Sequence, residues 1–187
     1  MIFGTYEFAI TYDVYERSED GRWIFGFFNV VIDDELLIHR YSNWTLNCII
    51  SYFKNTIEDI NTRGLEESDL DKDMLYINAL ETRDYYIYTA PEFLSQRWKL
   101  SDDPELLAKV DAYSEDCKKK VTHPPFGIEI ESYGELTNYG WRFFLFGAGE
   151  EERLIYSKDA GKTVLEKRLP RGTVEKVLRS LPDPADL

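Results

Sequence analysis

Large apolar side chains in the opening third of the chain alternate with smaller or polar ones, as they do in β-strands. The first such set is Phe8, Ile10, Tyr12 and Val14. This period of two predicts a half-buried strand. An Asp-Gly turn at residues 20–21 leads into the run 23–32, which is apolar except for Asn29 and therefore predicts a central strand. Asp33 and Asp34 then turn the chain into residues 36–38, which completes a predicted three-stranded meander.

Two segments have a clear helical pattern. Between residues 46 and 60, apolar side chains recur every three or four positions, which predicts a helix with one buried stripe. Asn43 or Thr45 is placed to cap its start, and Gly64 suits the left-handed position after its last turn. Asp103-Pro104 opens the second helix, which ends in the lysine cluster 118–120.

The segment between these helices is less regular. Residues 74–80 predict a short helix capped by Ser68 or Asp69, and the tyrosine-rich run 85–88 predicts a strand. Residues 90–94 predict a single helical turn with Pro91 at its start.

The last third of the chain returns to strands. Residues 126–130 alternate, the runs 141–146 and 154–156 flank a glycine-bearing turn, and 163–169 adds a further strand before a helix over 173–181. The order of elements predicts an α+β fold with a largely antiparallel β-sheet, built from N- and C-terminal strands with helices packed against it. We expect the first and last strands to share that sheet, in a single domain over residues 1–187.

Composition narrows the classes of function. The 187 residues include 35 acidic and 22 basic side chains, a net charge of −13, and residues 1–125 carry 24 of the acids and 13 of the bases. Nucleic acid and anionic membranes repel such a surface, so we expect neither as a direct partner and favour a basic one. The chain has no run of about 20 apolar residues and no signal-peptide pattern at its start, so we expect a cytoplasmic protein.

Acidic clusters are the main candidates for chemistry. The densest is Glu66, Glu67, Asp69, Asp71 and Asp73. The last three imitate the start of a calcium loop, but the positions that need glycine and a bidentate glutamate hold Met74 and Leu80. We expect no metal there, which leaves a solvated acidic loop or a docking patch for a basic partner.

Few other residues have the spacing of a catalytic site. Glu129, Glu131 and Glu135 offer carboxylates for glycoside hydrolysis, although a solvated sheet face is the simpler interpretation. His39 and His123 stand apart from other ligands, so we interpret both as structural. We therefore expect no catalytic residue, no metal and no cofactor.

Two tryptophans lie outside the strong apolar runs. Trp44 and Trp98 stand beside polar or charged residues, and each is either a core residue or an exposed binding anchor.

Several segments together resemble one known family. They are Met1-Ile2-Phe3-Gly4, Phe8-Ala9-Ile10, Trp23-Ile24-Phe25-Gly26, Thr45-Leu46-Asn47, Trp141-Arg142-Phe143-Phe144-Leu145, Arg153-Leu154-Ile155-Tyr156, and Leu169-Pro170 with Gly172. In this order they resemble the bacterial immunity protein 42 family of polymorphic toxin systems. The resemblance covers roughly the first 60 and last 60 residues, and we interpret residues 66–121 as a helical elaboration.

The resemblance implies a non-catalytic inhibitor that binds a cognate toxin domain one to one. Because the chain is acidic, we expect a basic toxin, such as a nuclease. Charge density and loop position give the candidate partner-binding residues: Asp33, Asp34, Glu35, Glu66, Glu67, Asp69, Asp71, Asp73, Trp98, Asp102 and Asp103. A general acidic interaction module and a carboxylate-based hydrolase remain as alternatives.

Overall fold

The computed structural model of the protein describes residues 1–38, 43–91, 103–121, 125–130 and 135–187. Within these ranges the fold is α+β with two antiparallel sheets, which confirms the predicted class. The helices there are α1 (Leu46–Arg63), α2 (Lys72–Thr89), α3 (Pro104–Lys120), α4 (Glu135–Asn138) and α5 (Thr173–Ser180), followed by a 3₁₀ turn at Pro184–Asp186.

The strands of each sheet come from one end of the chain. The first sheet contains β1 (Ile2–Gly4), β2 (Ala9–Arg17), β3 (Ile24–Ile32) and β4 (Glu35–Leu36) in that order, with β5 (Trp44–Thr45) also paired to β3. The second sheet contains β6 (Ile128–Ile130), β7 (Arg142–Ala148), β8 (Glu151–Ser157) and β9 (Val164–Pro170) in that order. Turns of few residues favour pairing between consecutive strands.

The expectation that the first and last strands share a sheet is wrong. Among the described residues, no strand ladder joins the N-terminal sheet to the C-terminal one. The two sheets instead bury their apolar faces in the same core, where Phe28 of β3 and Phe143 of β7 belong to one cluster. The chain ends therefore come together through side-chain packing rather than through backbone hydrogen bonds.

Helix α1 lies between the two sheets, in contact with both β3 and β6. Its predicted stripe is confirmed, because Leu46, Ile49, Ile50 and Phe53 are fully buried. The ring of Phe53 meets that of Phe28 edge to face, with 5.3 Å between centroids. Thr45 occupies the N-cap position, but its side chain makes no capping hydrogen bond.

Helix α2 is longer than predicted and includes the run 85–88, so the strand expected there is wrong. Asp71, rather than Ser68 or Asp69, is its N-cap, and its carboxylate accepts from the N–H groups of Asp73 and Met74 at 3.0 Å. The tyrosines favour a strand by intrinsic propensity, but packing against α3 outweighs that preference. The turn predicted at 90–94 lies outside the described residues from position 92 onward.

The second sheet is buried on both faces, as its unbroken apolar run at 143–146 indicates. Phe143 and Leu145 face the shared core, whereas Phe144 and Phe146 face α2. The α2 residues Leu75, Tyr76 and Ala79 cover this second face. Helix α2 is therefore held on the side of the sheet that lies opposite α1.

Gly26 of β3 lies where the structure leaves no room for a side chain. A Cβ atom there would collide with the Asp13 carbonyl on β2 and lie 2.8 Å from Leu46 Cδ1 on α1. At Gly172, by contrast, a Cβ atom would meet nothing within 4 Å, and its φ of 84° and ψ of 3° are left-handed geometry. Gly64 has φ of 68° but ψ of 173°, so the left-handed geometry expected after α1 is wrong.

We predict that Gly26→Ala lowers the free energy of unfolding by about 3 kcal/mol, because the new methyl overpacks a strand-to-strand contact. Gly172→Ala should lower it by only about 1 kcal/mol, the cost of a left-handed backbone for alanine. Urea unfolding of both variants measures the difference. Equal losses would contradict the steric argument.

Candidate partner-binding surface

Residues 33–35, the first candidate site, form the tight turn between β3 and β4. Asp33 and Asp34 have φ of 51° and 63°, the left-handed geometry of a two-residue hairpin turn in which aspartate is tolerated. Both side chains and that of Glu35 are exposed. Asp33 also pairs with Lys167 of β9 at 2.5 Å, so part of its charge is neutralised within the molecule.

Residues 66–73, here called the acidic segment, are fixed to the second sheet. The N–H of Gly147 donates to the Glu66 carbonyl at 2.9 Å, and Glu67 forms a parallel bridge with Gly147. Strand β6 pairs with β7 only as far as Leu145, so the acidic segment continues the sheet beyond the end of β6. The acidic segment is therefore attached to the sheet, while its five acids are exposed to solvent.

Arg153 on β8 is the main anchor of the acidic segment. Its side chain is only 4% exposed, and its Nη1 donates to the carbonyls of Ser68 at 2.9 Å and Leu70 at 2.8 Å. The other side of the guanidinium makes a two-point ion pair with Glu166 at 2.8 and 3.1 Å. Although burial opposes ionisation of Glu166, the hydrogen bonds from Arg153 hold its pKa below the usual value.

The carboxylates of the acidic segment divide into two groups. Glu66 accepts from the N–H of Gly127 at 3.3 Å, and Glu67 accepts from Arg171 and from the N–H of Gly149. The hydrogen bond from Arg171 is the main reason that the pKa of Glu67 is lowered. Since Asp71 caps α2, three of the five acids support the fold.

The other two acids of the segment remain available to a partner. Asp69 is exposed and has no hydrogen bond or ion pair within the described part of the chain. Asp73 is exposed as well, and its nearest cation is Lys72 at 3.9 Å.

The remaining candidates are placed differently. Asp103 caps α3 by accepting from the N–H of Glu105 at 2.9 Å, whereas Trp98 and Asp102 lie outside the described residues. Trp44 is 1% exposed and stacks edge to face on Tyr139, so it is a core residue and not a binding anchor.

Glu129 and Glu135, the two described carboxylates of the hydrolase alternative, both have partners within the protein. Each oxygen of Glu129 pairs with an arginine, Arg83 at 2.6 Å and Arg142 at 2.7 Å. Burial raises the pKa of Glu129, and the two guanidinium groups oppose that rise. Glu135 accepts from the N–H of Thr45 at 3.4 Å, while Glu131 and both histidines lie outside the described residues.

Metal ligands and the two cysteine thiols are the other groups in the described ranges that bear on chemistry. These ranges contain no group of three or more His, Cys, Asp or Glu side chains that could hold a metal ion. Burial raises the pKa of the Cys117 thiol, and burial together with the charge of Glu135 raises that of Cys48. In the same ranges, none of the helices has both the length and the hydropathy needed to cross a bilayer.

Three exposed apolar side chains in or just after the acidic segment were not among the sequence candidates. Leu70, Met74 and Ile77 are 40%, 43% and 47% exposed. The sequence predicts a helix over only 74–80, which is too short to separate a buried face from an exposed face. The helical spacing of the buried residues 75, 76 and 79 is the signal that would have separated the buried face from the exposed one.

Comparison with known proteins places the whole chain in one family. The family model described as immunity protein 42 matches residues 1–184. The match includes residues 66–121, which the sequence resemblance did not cover. An uncharacterised protein of Pasteurella multocida (strain Pm70) is 30% identical over 187 residues, covering 98% of this chain and 99% of its own length.

One solved structure has a similar fold. It is CdiI from Burkholderia dolosa AUO158, with a TM-score of 0.57 and 19% identity, and the match covers 96% of both chains. At this identity the similarity concerns the fold alone.

We predict that Arg153→Met lowers the free energy of unfolding by about 3 kcal/mol, because it leaves Glu166 and two carbonyls without their buried donor. Hydrogen exchange of the amides at 66–71 should also become faster, since the acidic segment loses its anchor. Arg168→Met is the matched control, because Arg168 also pairs with Glu166 but is 55% exposed, and it should cost less than about 1 kcal/mol. Equal effects of the two substitutions would contradict the anchoring role.

Proposed function

Because the chain belongs to the immunity protein 42 family, we propose that it binds and neutralises a cognate bacterial toxin domain. Inhibition is stoichiometric and non-catalytic, and it takes place in the cytoplasm of the protected cell. The observation that carries the proposal is the family match over residues 1–184. The binding unit is the whole chain, 1–187, since residues of both sheets belong to one core cluster.

The charge of the protein supports a basic toxin as the partner. With a net charge of −13, the chain attracts a basic surface from a distance and accelerates the encounter. Nucleases carry basic surfaces around their active sites because their substrate is a polyanion. We therefore propose a nuclease toxin, with no direct contact between the immunity protein and nucleic acid or membrane.

The described acidic side chains favour binding over hydrolysis. A glycosidase needs one protonated carboxyl and one free carboxylate on either side of an open cleft. Both oxygens of Glu129 are instead occupied by arginines, so this carboxylate serves the packing of α2 on the sheet.

The contact surface that we propose includes the turn at 33–35, the acidic segment, and residues 98, 102 and 103. Within the acidic segment, the charges available to a toxin are those of Asp69 and Asp73. Glu66, Glu67 and Asp71 contribute indirectly, because they hold the segment in place.

We predict that co-expression of this protein with the C-terminal region of the large protein encoded directly upstream restores growth and gives a one-to-one complex. A toxin alone, without the immunity protein, should stop growth. Survival counts, co-purification and light scattering measure these outcomes. Growth arrest without complex formation, from cells that contain folded immunity protein, would reject this pairing and favour a general interaction module.

We also predict that Asp69→Lys/Asp73→Lys slows toxin association several-fold at low salt and reduces its dependence on ionic strength. The matched control is Glu58→Lys/Asp59→Lys on the exposed side of α1, which changes the net charge equally at another place. Stopped-flow association rates between 20 and 500 mM salt distinguish local from global charge effects. If both double variants slow association equally, the acidic segment has no special role.

A further inference from the structure

The N-terminal half of α2 exposes an apolar row toward the outside of the protein. Met74 and Ile77 are three residues apart on the helix and so lie side by side, with Leu70 immediately before the N-cap residue Asp71. All three side chains are at least 40% exposed. We use the term α2 outer face for Leu70, Met74 and Ile77 together with the acids Asp69, Asp73 and Glu81.

Helix α3 covers the corresponding face of α2 only in its C-terminal half. The rings of Tyr88 and Tyr113 meet edge to face at 4.9 Å, and Ser114 donates to the Tyr88 carbonyl at 2.7 Å. The last residue of α3, Lys120, lies over the ring of Tyr85 at 5.6 Å. Ile77 and Met74 are two and three turns further toward the N-terminus of α2, and they keep their exposure.

Apart from Lys72, the exposed charged residues next to this apolar row in the sequence are acidic. Asp69, Asp73 and Glu81 are all exposed. Between residues 66 and 82 the only basic residue is Lys72, whose Nζ donates to the Val164 carbonyl and lies 3.9 Å from Asp73, with its side chain 41% exposed. The three acids therefore outnumber it. A partner therefore meets an apolar centre with an acidic border.

We propose that the α2 outer face is the docking surface for the toxin, which contributes an apolar side chain or groove surrounded by lysines and arginines. This inference rests on the proposed function. It assigns most of the binding energy of the toxin interface to apolar residues that are not among the acidic candidates. An interface core is typically apolar with a polar rim, and a few central side chains provide most of the binding energy. The acidic rim selects a basic partner and excludes nucleic acid and anionic lipid.

The backbone beneath this surface is held in place before binding. Leu75, Tyr76 and Ala79 bury the opposite side of the same helical turns against the second sheet, and Tyr76 meets Phe144 at 5.5 Å. Arg153 fixes the carbonyl of Leu70. A helix presented in this way loses little conformational entropy on binding.

The test compares Met74→Ala/Ile77→Ala with the wild type in binding to the catalytically inactivated C-terminal region of the upstream protein. Alanine preserves the helix while it removes the apolar contact area. We expect the dissociation constant to rise at least about tenfold, mostly through faster dissociation. Ile2→Ala/Tyr15→Ala in the first sheet is the matched control, because these side chains are 67% and 62% exposed and lie outside the proposed contact residues, and it should leave the dissociation constant unchanged.

The outcomes separate this inference from the proposed function. Equal binding by the wild type and Met74→Ala/Ile77→Ala, with both proteins folded by circular dichroism, would overturn the docking surface and leave the immunity function intact. No binding by the wild type and no protection of cells would overturn both. A wild-type dimer in light scattering that Met74→Ala/Ile77→Ala converts to a monomer, with toxin binding unchanged, would assign the surface to a second copy and overturn the inference.

Discussion

The buried guanidinium of Arg153 is the interaction on which the outer architecture depends. Removing an arginine from water costs several kcal/mol, and the cost is offset only when its donors find good acceptors. Here they find the Glu166 carboxylate and the carbonyls of Ser68 and Leu70. The same side chain thus fixes the chain that leads into α2, and the packing of Leu75, Tyr76 and Ala79 on the second sheet holds the helix itself.

Burial of the second sheet on both faces divides the protein into an inner and an outer part. On the inner face, α1 and α5 complete the shared core, and the 1% exposed Glu152 accepts from the N–H groups of Gly172 and Val174 at the start of α5. On the outer face, α2 is the layer between the sheet and the surroundings. A partner that binds α2, as we propose, therefore contacts a helix supported by the sheet.

The strong negative charge has two roles that only the structure separates. Glu67 accepts a hydrogen bond from Arg171, and Asp71 accepts one from an N–H group at the start of α2. Both carboxylates are therefore paired within the protein. Asp69 and Asp73 are exposed, and the one described cation near either of them is Lys72, 3.9 Å from Asp73. The count of acids in the acidic segment thus overstates the charge that a partner meets.

Several features followed from the sequence alone. The α+β class, the first meander, α1, α3 and α5 were predictable, because their periodicity, turn residues and caps are local signals. The short segments of the first and last 60 residues also resembled the immunity protein 42 family, whose model matches residues 1–184. These signals need no knowledge of what lies across the core.

Tertiary structure alone decided the rest. The run 85–88 is helical because Tyr88 packs on Tyr113, and Trp44 is buried because Tyr139 covers it; both contacts join residues far apart in the chain. The separation of the acids into fold-supporting and available groups depends on Arg171, Arg153 and Gly127, which lie about 60 to 105 positions away. A local pattern specifies which residues favour an element or carry a charge, whereas the partner that buries or neutralises each of them is specified only when distant segments meet.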